Sequence, residues 1–184
     1  MKLIETSIQG VYLLEPKLFE DTRGLFFESY HELRFAELGI TDRFIQDNQA
    51  LSVRKTLRGL HYQIEHPQAK LCRVLCGEVL DVAVDLRRGS PSFGKWESAI
   101  LSARNKLQMY VPKGFAHGYL VLSETAEFLY KCSDFYYPEH ERGVMWNDPE
   151  IGIDWGIDLP ILSDKDLRNP SLSKILAKDL PEYA

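Results

Sequence analysis

The sequence predicts an all-β fold of jelly-roll or β-sandwich type. Short runs of β-branched, aromatic and alternating apolar residues fill the middle of the chain, turn-forming residues separate them, and helical periodicity is scarce. In order, the spacing predicts strands over 8–15, 44–52, 57–63, 70–76, 79–86, 95–101, 107–111, 118–122 and 127–135. In the 79–86 run Leu80, Val82, Val84 and Leu86 fall on one face and Asp81 and Asp85 on the other, the pattern of a half-buried strand. Cys76-Gly77-Glu78 is a hairpin candidate, and Arg88-Gly89-Ser90-Pro91 and Ser123-Glu124-Thr125 read as loops. Helices are expected over 32–38, ended by Gly39, and over 173–180, ended before Pro181. With no repeat, low-complexity tract or linker, residues 1–184 are expected to form one domain, and many short strands favour a jelly roll over a parallel sheet.

Bulk composition narrows the function classes. At 184 residues, 45% hydrophobic and 27% charged, the chain can bury a sizeable core as an ordinary globule. Its formal charge of -5 argues against non-specific nucleic-acid binding, so anionic ligands must be met by local arginines. Glu5 interrupts any secretory core at the amino terminus, and no apolar run approaches a membrane span, so a cytoplasmic protein with no membrane partner is expected. Cys72, Cys76 and Cys132 are odd in number and lie in strand-like runs, which suits reduced thiols in buried apolar roles. A zinc site on Cys72 and Cys76 lacks two further ligands in the local sequence.

The chemistry-bearing segment is Leu57-Arg58-Gly59-Leu60-His61-Tyr62-Gln63, with a second histidine in Pro112-Lys113-Gly114-Phe115-Ala116-His117. Together they resemble an altered cupin site. Metal-binding cupins carry His-x-His, an acid a few residues on, and a third histidine in a Pro-x-Gly-x-x-His turn. Here Gln63 replaces the second histidine, and the next inward ionisable residue is Lys70. An amide and an ammonium are poor ligands for a divalent cation, so no metal and no other cofactor is expected. A histidine beside a lysine suits proton abstraction next to a carbonyl, where the ammonium can stabilise an enolate oxygen.

Nine motifs in order extend the resemblance over nearly the whole chain. They are Asp21-x-Arg23-Gly24-x-Phe26-x-Glu28, Gln46-Asp47-Asn48, the 57–63 segment, Lys70, Gly77-Glu78-Val79-x-Asp81-Val82-x-Val84-Asp85-Leu86-Arg87, Pro112-x-Gly114-Phe115-Ala116-His117-Gly118, Tyr130-Lys131-Cys132, Trp146-Asn147-Asp148-Pro149 and Ser163-x-Lys165-Asp166. On these the chain resembles the dTDP-4-dehydrorhamnose 3,5-epimerase family of the cupin superfamily. The resemblance implies a metal-independent jelly-roll homodimer with an exchanged amino-terminal strand. It also implies a dTDP-sugar substrate, dTDP-4-dehydro-6-deoxyglucose, inverted at the carbons on both sides of its ketone. It makes His61 the base, Asp166 its partner, Lys70 the group facing the ketone oxygen and Tyr130 the acid on the opposite face. Arg23 and Arg58 would meet the diphosphate, with Lys165 at the site. Glu28, Gln46, Asp47, Asn48 and Glu141 would contact the nucleotide or sugar, His117 would hydrogen-bond the substrate or the catalytic groups, and Tyr136 would pack against the base or the hexose.

Taken singly, several of these residues have plainer roles. Tyr130 fits a core tyrosine, Lys70 a strand-end lysine with its amine in water, and Asp166 a turn cap. Trp96, Trp146 and Trp155 read as packing residues. Strict alternation puts Arg58 and His61 on opposite faces, and Gly59 is the expected bulge that would reconcile them. Two alternatives remain from the residues alone: a related nucleotide-sugar enzyme that inverts one carbon or moves the ketone, and a non-catalytic sugar-binding cupin. The missing second histidine speaks against a metal-dependent cupin oxygenase.

Overall fold

In the computed structural model, which describes residues 1–183, the alternating runs become thirteen short strands and one α-helix. One sheet has six antiparallel strands in the order β1 (Lys2–Glu5), β2 (Tyr12–Glu15), β10 (Gln108–Val111), β7 (Lys70–Cys76), β12 (Thr125–Cys132) and β5 (Gln46–Val53). The facing sheet has five: β13 (Glu141–Gly143), β6 (Leu57–Gln63), β11 (Phe115–Val121), β8 (Glu78–Asp85) and β9 (Trp96–Ser102). A separate hairpin pairs β3 (Phe19–Asp21) with β4 (Gly24–Phe26), and α1 spans Glu32–Glu37. The sheets bury Val74, Val79, Ala83, Met109, Tyr119 and Phe128 between them, as expected of a jelly roll.

Three local expectations change. The 8–15 strand is shortened to β2, because Gly10 turns at φ +94° and Thr6 Oγ1 bonds the Val11 carbonyl, folding β1 back along β2. Cys76-Gly77-Glu78 is not a hairpin: β7 and β8 belong to opposite sheets, so the turn is a corner of the sandwich. Gly77 sits there at φ +79°, where a Cβ would lie 2.1 Å from the Thr125 carbonyl oxygen. The carboxy-terminal segment forms two single 3₁₀ turns, at Leu172–Lys174 and Ala177–Asp179, in place of a helix. An isolated helix of that length is marginal. The segment is instead pinned along its path by Tyr62 Oη donating to the Asp179 carbonyl and Arg142 to the Asp179 carboxylate.

That segment also explains β8. Together with the stretch that carries Trp155, it covers the outer face of the five-stranded sheet, packing Leu172 and Trp155 against Leu57, Leu60, Val82, Val84 and Leu86. The apolar face of β8 therefore points outward under this cover, and the acidic face points inward between the sheets. Asp81 and Asp85 are both fully buried, where a half-buried strand would have left them wet. Asp148 holds the cover in place by accepting backbone N–H groups from Glu150, Ile151 and Leu172, while Trp155 donates to the Trp146 carbonyl. Of the cysteines, Cys72 and Cys132 are buried as expected, but Cys76 is exposed at the end of β7.

Asp85 illustrates how an acid persists inside the sandwich. Its Oδ1 accepts from the backbone N–H and Nε of Arg87, and its Oδ2 accepts from Arg87 Nη2, Ser90 Oγ and Ser92 Oγ. Burial alone would raise its pKa, but these donors outweigh it and hold the carboxyl below the usual range. Because the folded pKa is depressed, this stabilisation is present above the unfolded value and is lost as pH falls through the folded one. Asp85→Asn is expected to cost about 3 kcal/mol or more in denaturant unfolding at neutral pH. The deficit should shrink below pH 3.8, the ordinary carboxyl value, as the wild-type acid protonates too. Equal stability of the two proteins at neutral pH would contradict this account of β8.

Candidate active site

The site is assembled by the pairing of β6 with β11. His61 lies opposite His117, but Tyr119 lies opposite Arg58, so β6 carries one extra residue across this stretch. The bulge falls at Gly59-Leu60. Gly59 has φ +130°, and a Cβ on it would sit 2.5 Å from the Gly118 Cα, so only two glycines allow the backbones to approach this closely. The slip turns Arg58 and His61 to the same inward face. The expected bulge is therefore present at the expected residue.

The facing sheet supplies the complementary groups. Tyr130 pairs with Asn48 on one side and Cys72 on the other, while Cys132 pairs with Gln46 and Lys70. Directly opposed residues share a face, so Gln46, Asn48, Lys70 and Tyr130 all point toward His61. Two adjoining cavities, of about 320 and 310 Å³, share His61, Lys70 and Tyr130 in their walls. The first continues past Gln46, Asn48, Gln63, Tyr136 and Glu141; the second past Arg58, His117, Ser163, Lys165 and Asp166.

His61 is held from both ends. Asp166 Oδ1 lies 2.5 Å from Nε2, and Glu141 Oε1 lies 4.0 Å from Nδ1. Asp166 is buried in a 3₁₀ turn at Asp166–Arg168, and Ser163 Oγ donates to its second oxygen at 2.9 Å. Burial would raise the Asp166 pKa, but the His61 and Ser163 hydrogen bonds and the nearby Lys165 ammonium prevail and hold it low. An ionised Asp166 accepts the Nε2 proton, which leaves the Nδ1 lone pair free as a base. Glu141 is likewise held below the usual range despite burial, by Lys165 and by Tyr136, whose hydroxyl donates to it at 2.6 Å. The same bond pushes the Tyr136 pKa up to about 12.

Lys70 is 9% exposed, so its ammonium is not in bulk water, and no carboxylate pairs with it among the described residues. An unpaired cation in a cavity wall favours an anion arriving there. Tyr130 has its pKa raised, mainly by burial, so it stands as a neutral phenol able to donate. Gln63, where a cupin would present a ligand, is spent on structure. Its amide donates to the carbonyls of His66 and Phe135 and accepts the Tyr137 N–H, fixing the loop that carries Tyr136.

Not every predicted site residue reaches the cavities. Asp47 points to the outer face, paired with Lys131, as its position between Gln46 and Asn48 on one strand requires. Arg23, in the turn between β3 and β4, is bound to Asp21 and largely exposed, and Glu28 is bound to Arg34. Neither lines the two cavities. His117 is turned toward Asp81, with Nε2 and Oδ1 2.7 Å apart. Sequence reasoning did not single out Ser163 as the support of Asp166, although it lies in the same short motif.

The family model described as dTDP-4-dehydrorhamnose 3,5-epimerase matches residues 5–174. A curated dTDP-4-dehydrorhamnose 3,5-epimerase from Pseudomonas aeruginosa is 58% identical over 168 residues, covering 90% of this chain and 93% of the relative. The crystal structure of dTDP-6-deoxy-D-glucose-3,5-epimerase from Legionella pneumophila, in complex with dTDP-4-keto-L-rhamnose, superposes with a TM-score of 0.97 at 50% identity, covering 100% of this chain and 98% of that one. A 3'-monoepimerase from Streptomyces bikiniensis in complex with dTDP-quinovose gives a TM-score of 0.90 at 38% identity, covering 97% and 92%.

Proposed function

The chain belongs to the dTDP-4-dehydrorhamnose 3,5-epimerase family, and from that premise we propose that it converts dTDP-4-dehydro-6-deoxy-D-glucose to dTDP-4-dehydro-L-rhamnose through enolate intermediates. The observation that carries the reading is the opposition of His61 on one sheet to Tyr130 and Lys70 on the other, across one cavity. Epimerisation beside a ketone needs a base on one face of the sugar ring, an acid on the other, and a positive group at the carbonyl oxygen.

His61 Nδ1 removes the proton from carbon three or five, and the imidazolium is stabilised by Asp166 and Glu141. The electron pair moves onto the ketone oxygen, where Lys70 stabilises the enolate more than the ground-state ketone. Tyr130 then donates its proton to the opposite face of the same carbon. A phenol with a raised pKa protonates the strongly basic enolate carbon but not the ketone, which orders the two transfers. On this reading Arg58 and Lys165 face the diphosphate, and Gln46, Asn48 and His117 orient the nucleotide and sugar. Catalysis needs no metal, since Lys70 performs the Lewis acid's task.

The enzyme acts as a homodimer in the cytoplasm, and Arg23 and Glu28 serve the partner's site. Support comes from the β3–β4 hairpin, which exposes Phe19 and Phe26, and from the outer face of edge strand β5, which exposes Leu51 and Val53. Light scattering at micromolar concentration is expected to give twice the chain mass. A fully active monomer would rule out the shared site.

The roles of base and acid separate in deuterated solvent. His61→Asn should abolish exchange of the substrate's ring hydrogens, since no enolate forms. Tyr130→Phe should exchange without inverting, because His61 can return deuterium to the original face. Each loss should be on the order of a hundred to ten thousand fold. Equal loss of exchange and inversion in both variants would refute this division of labour.

A further inference from the structure

Beside the proposed reaction centre lies a second cluster that the mechanism uses only in part. Cys72 on β7, Asp81 on β8 and His117 on β11 bring one ligand-type atom each to within 4.8 Å of one another. All three are buried, Cys72 and Asp81 completely. His117 Nε2 faces both others, at 2.7 Å from Asp81 Oδ1 and 3.5 Å from Cys72 Sγ. One ring nitrogen cannot satisfy both, and Asp81 Oδ2 is buried without a hydrogen-bond partner among the described residues. A fully buried carboxylate with an idle oxygen, next to a thiol and an imidazole, is a donor set that can take a cation.

We propose that Cys72, Asp81 and His117 form a binding site for a thiophilic divalent cation of the zinc type, and that its occupancy inhibits the enzyme. Thiolate, carboxylate and neutral imidazole are a full zinc donor set, and three protein ligands leave one position for water. In a tetrahedral zinc site the ligand atoms stand roughly 3.5 Å apart. The sulfur–nitrogen separation already has that value, and the nitrogen–oxygen contact must open by a little over half an ångström on the order of the same geometry. The ion replaces the thiol proton, which leaves to solvent, and the ring carries its proton on Nδ1. No electron changes hands.

Inhibition follows from position. His117 shares a cavity wall with His61, Lys70 and Tyr130, so a bound cation fixes a substrate-facing ring and adds positive charge beside Lys70. The site is thus distinct from a catalytic metal: chelation should leave turnover intact, and added zinc should lower it.

The test uses the whole, chelator-treated protein. Cobalt(II) titration of the wild type should give a thiolate-to-cobalt charge-transfer band that saturates at one equivalent. That band should be absent in Cys72→Ala and in the closer-sized Cys72→Ser. Both variants should keep basal epimerase activity while requiring at least tenfold more zinc for half-inhibition; magnesium should have no effect on any of them. Absence of the band in the wild type would overturn the proposal. So would equal zinc sensitivity of wild type and variants, which would point to surface groups such as His66 and His140. Because the cobalt spectrum does not depend on turnover, a failure of the epimerase reading would leave this test standing.

Discussion

The arrangement of the site depends on the close contact of two backbones at Gly59 and Gly118. A Cβ on Gly59 would meet the Gly118 Cα at 2.5 Å, and one on Gly118 would meet the Arg58 carbonyl oxygen at 2.8 Å. Without that approach β6 would keep its register against β11, and the alternation of a strand would send Arg58 and His61 to opposite sides. The one-residue slip instead turns a guanidinium and an imidazole into the same cavity. The same slip places Leu57 with Leu60 and Tyr62 on the outer face, under the carboxy-terminal cover.

An interior built of ionisable groups constrains everything packed around it. Asp166 is matched by His61 and Ser163, Asp85 by Arg87 and two serines, and Asp81 by His117. Asp85 is matched within its own turn, as Asp166 is by Ser163, whereas the pairings of Asp166 with His61 and of Asp81 with His117 join residues distant in sequence and depend on the fold. The sandwich is correspondingly capped on its outer faces by apolar clusters, one under the carboxy-terminal segment and one around Phe35 and Ile40 beside α1. Lys70 is the exception, a cation with no carboxylate beside it among the described residues, and it is where the proposed chemistry needs an anion to form.

Much of this was legible in the chain. The strands at 57–63 and 70–76 have the bounds that their alternation and flanking turns predict, and Gly59 announced its bulge through the conflict it had to resolve. The orientation of Asp47 away from Gln46 and Asn48 was equally readable from a period of two. What alternation cannot supply is which face of a strand looks inward. In β8 the apolar face is covered by a segment some seventy or more residues downstream, on the order of separation that local periodicity never senses. The cluster of Cys72, Asp81 and His117 has the same origin, since its members come from three strands in two sheets. The carboxy-terminal segment read as a helix by spacing, and distant hydrogen bonds to Tyr62 and Arg142 drew it out into single turns.

In the proposed reaction one base and one acid, on facing sheets, serve both carbons that flank the ketone. The most direct measurement is turnover of dTDP-4-dehydro-6-deoxy-D-glucose by the wild-type enzyme in deuterated solvent, with the product read by proton NMR. Deuterium is expected at carbons three and five, each with inverted configuration. Label confined to one carbon, with the other centre unchanged, would contradict it.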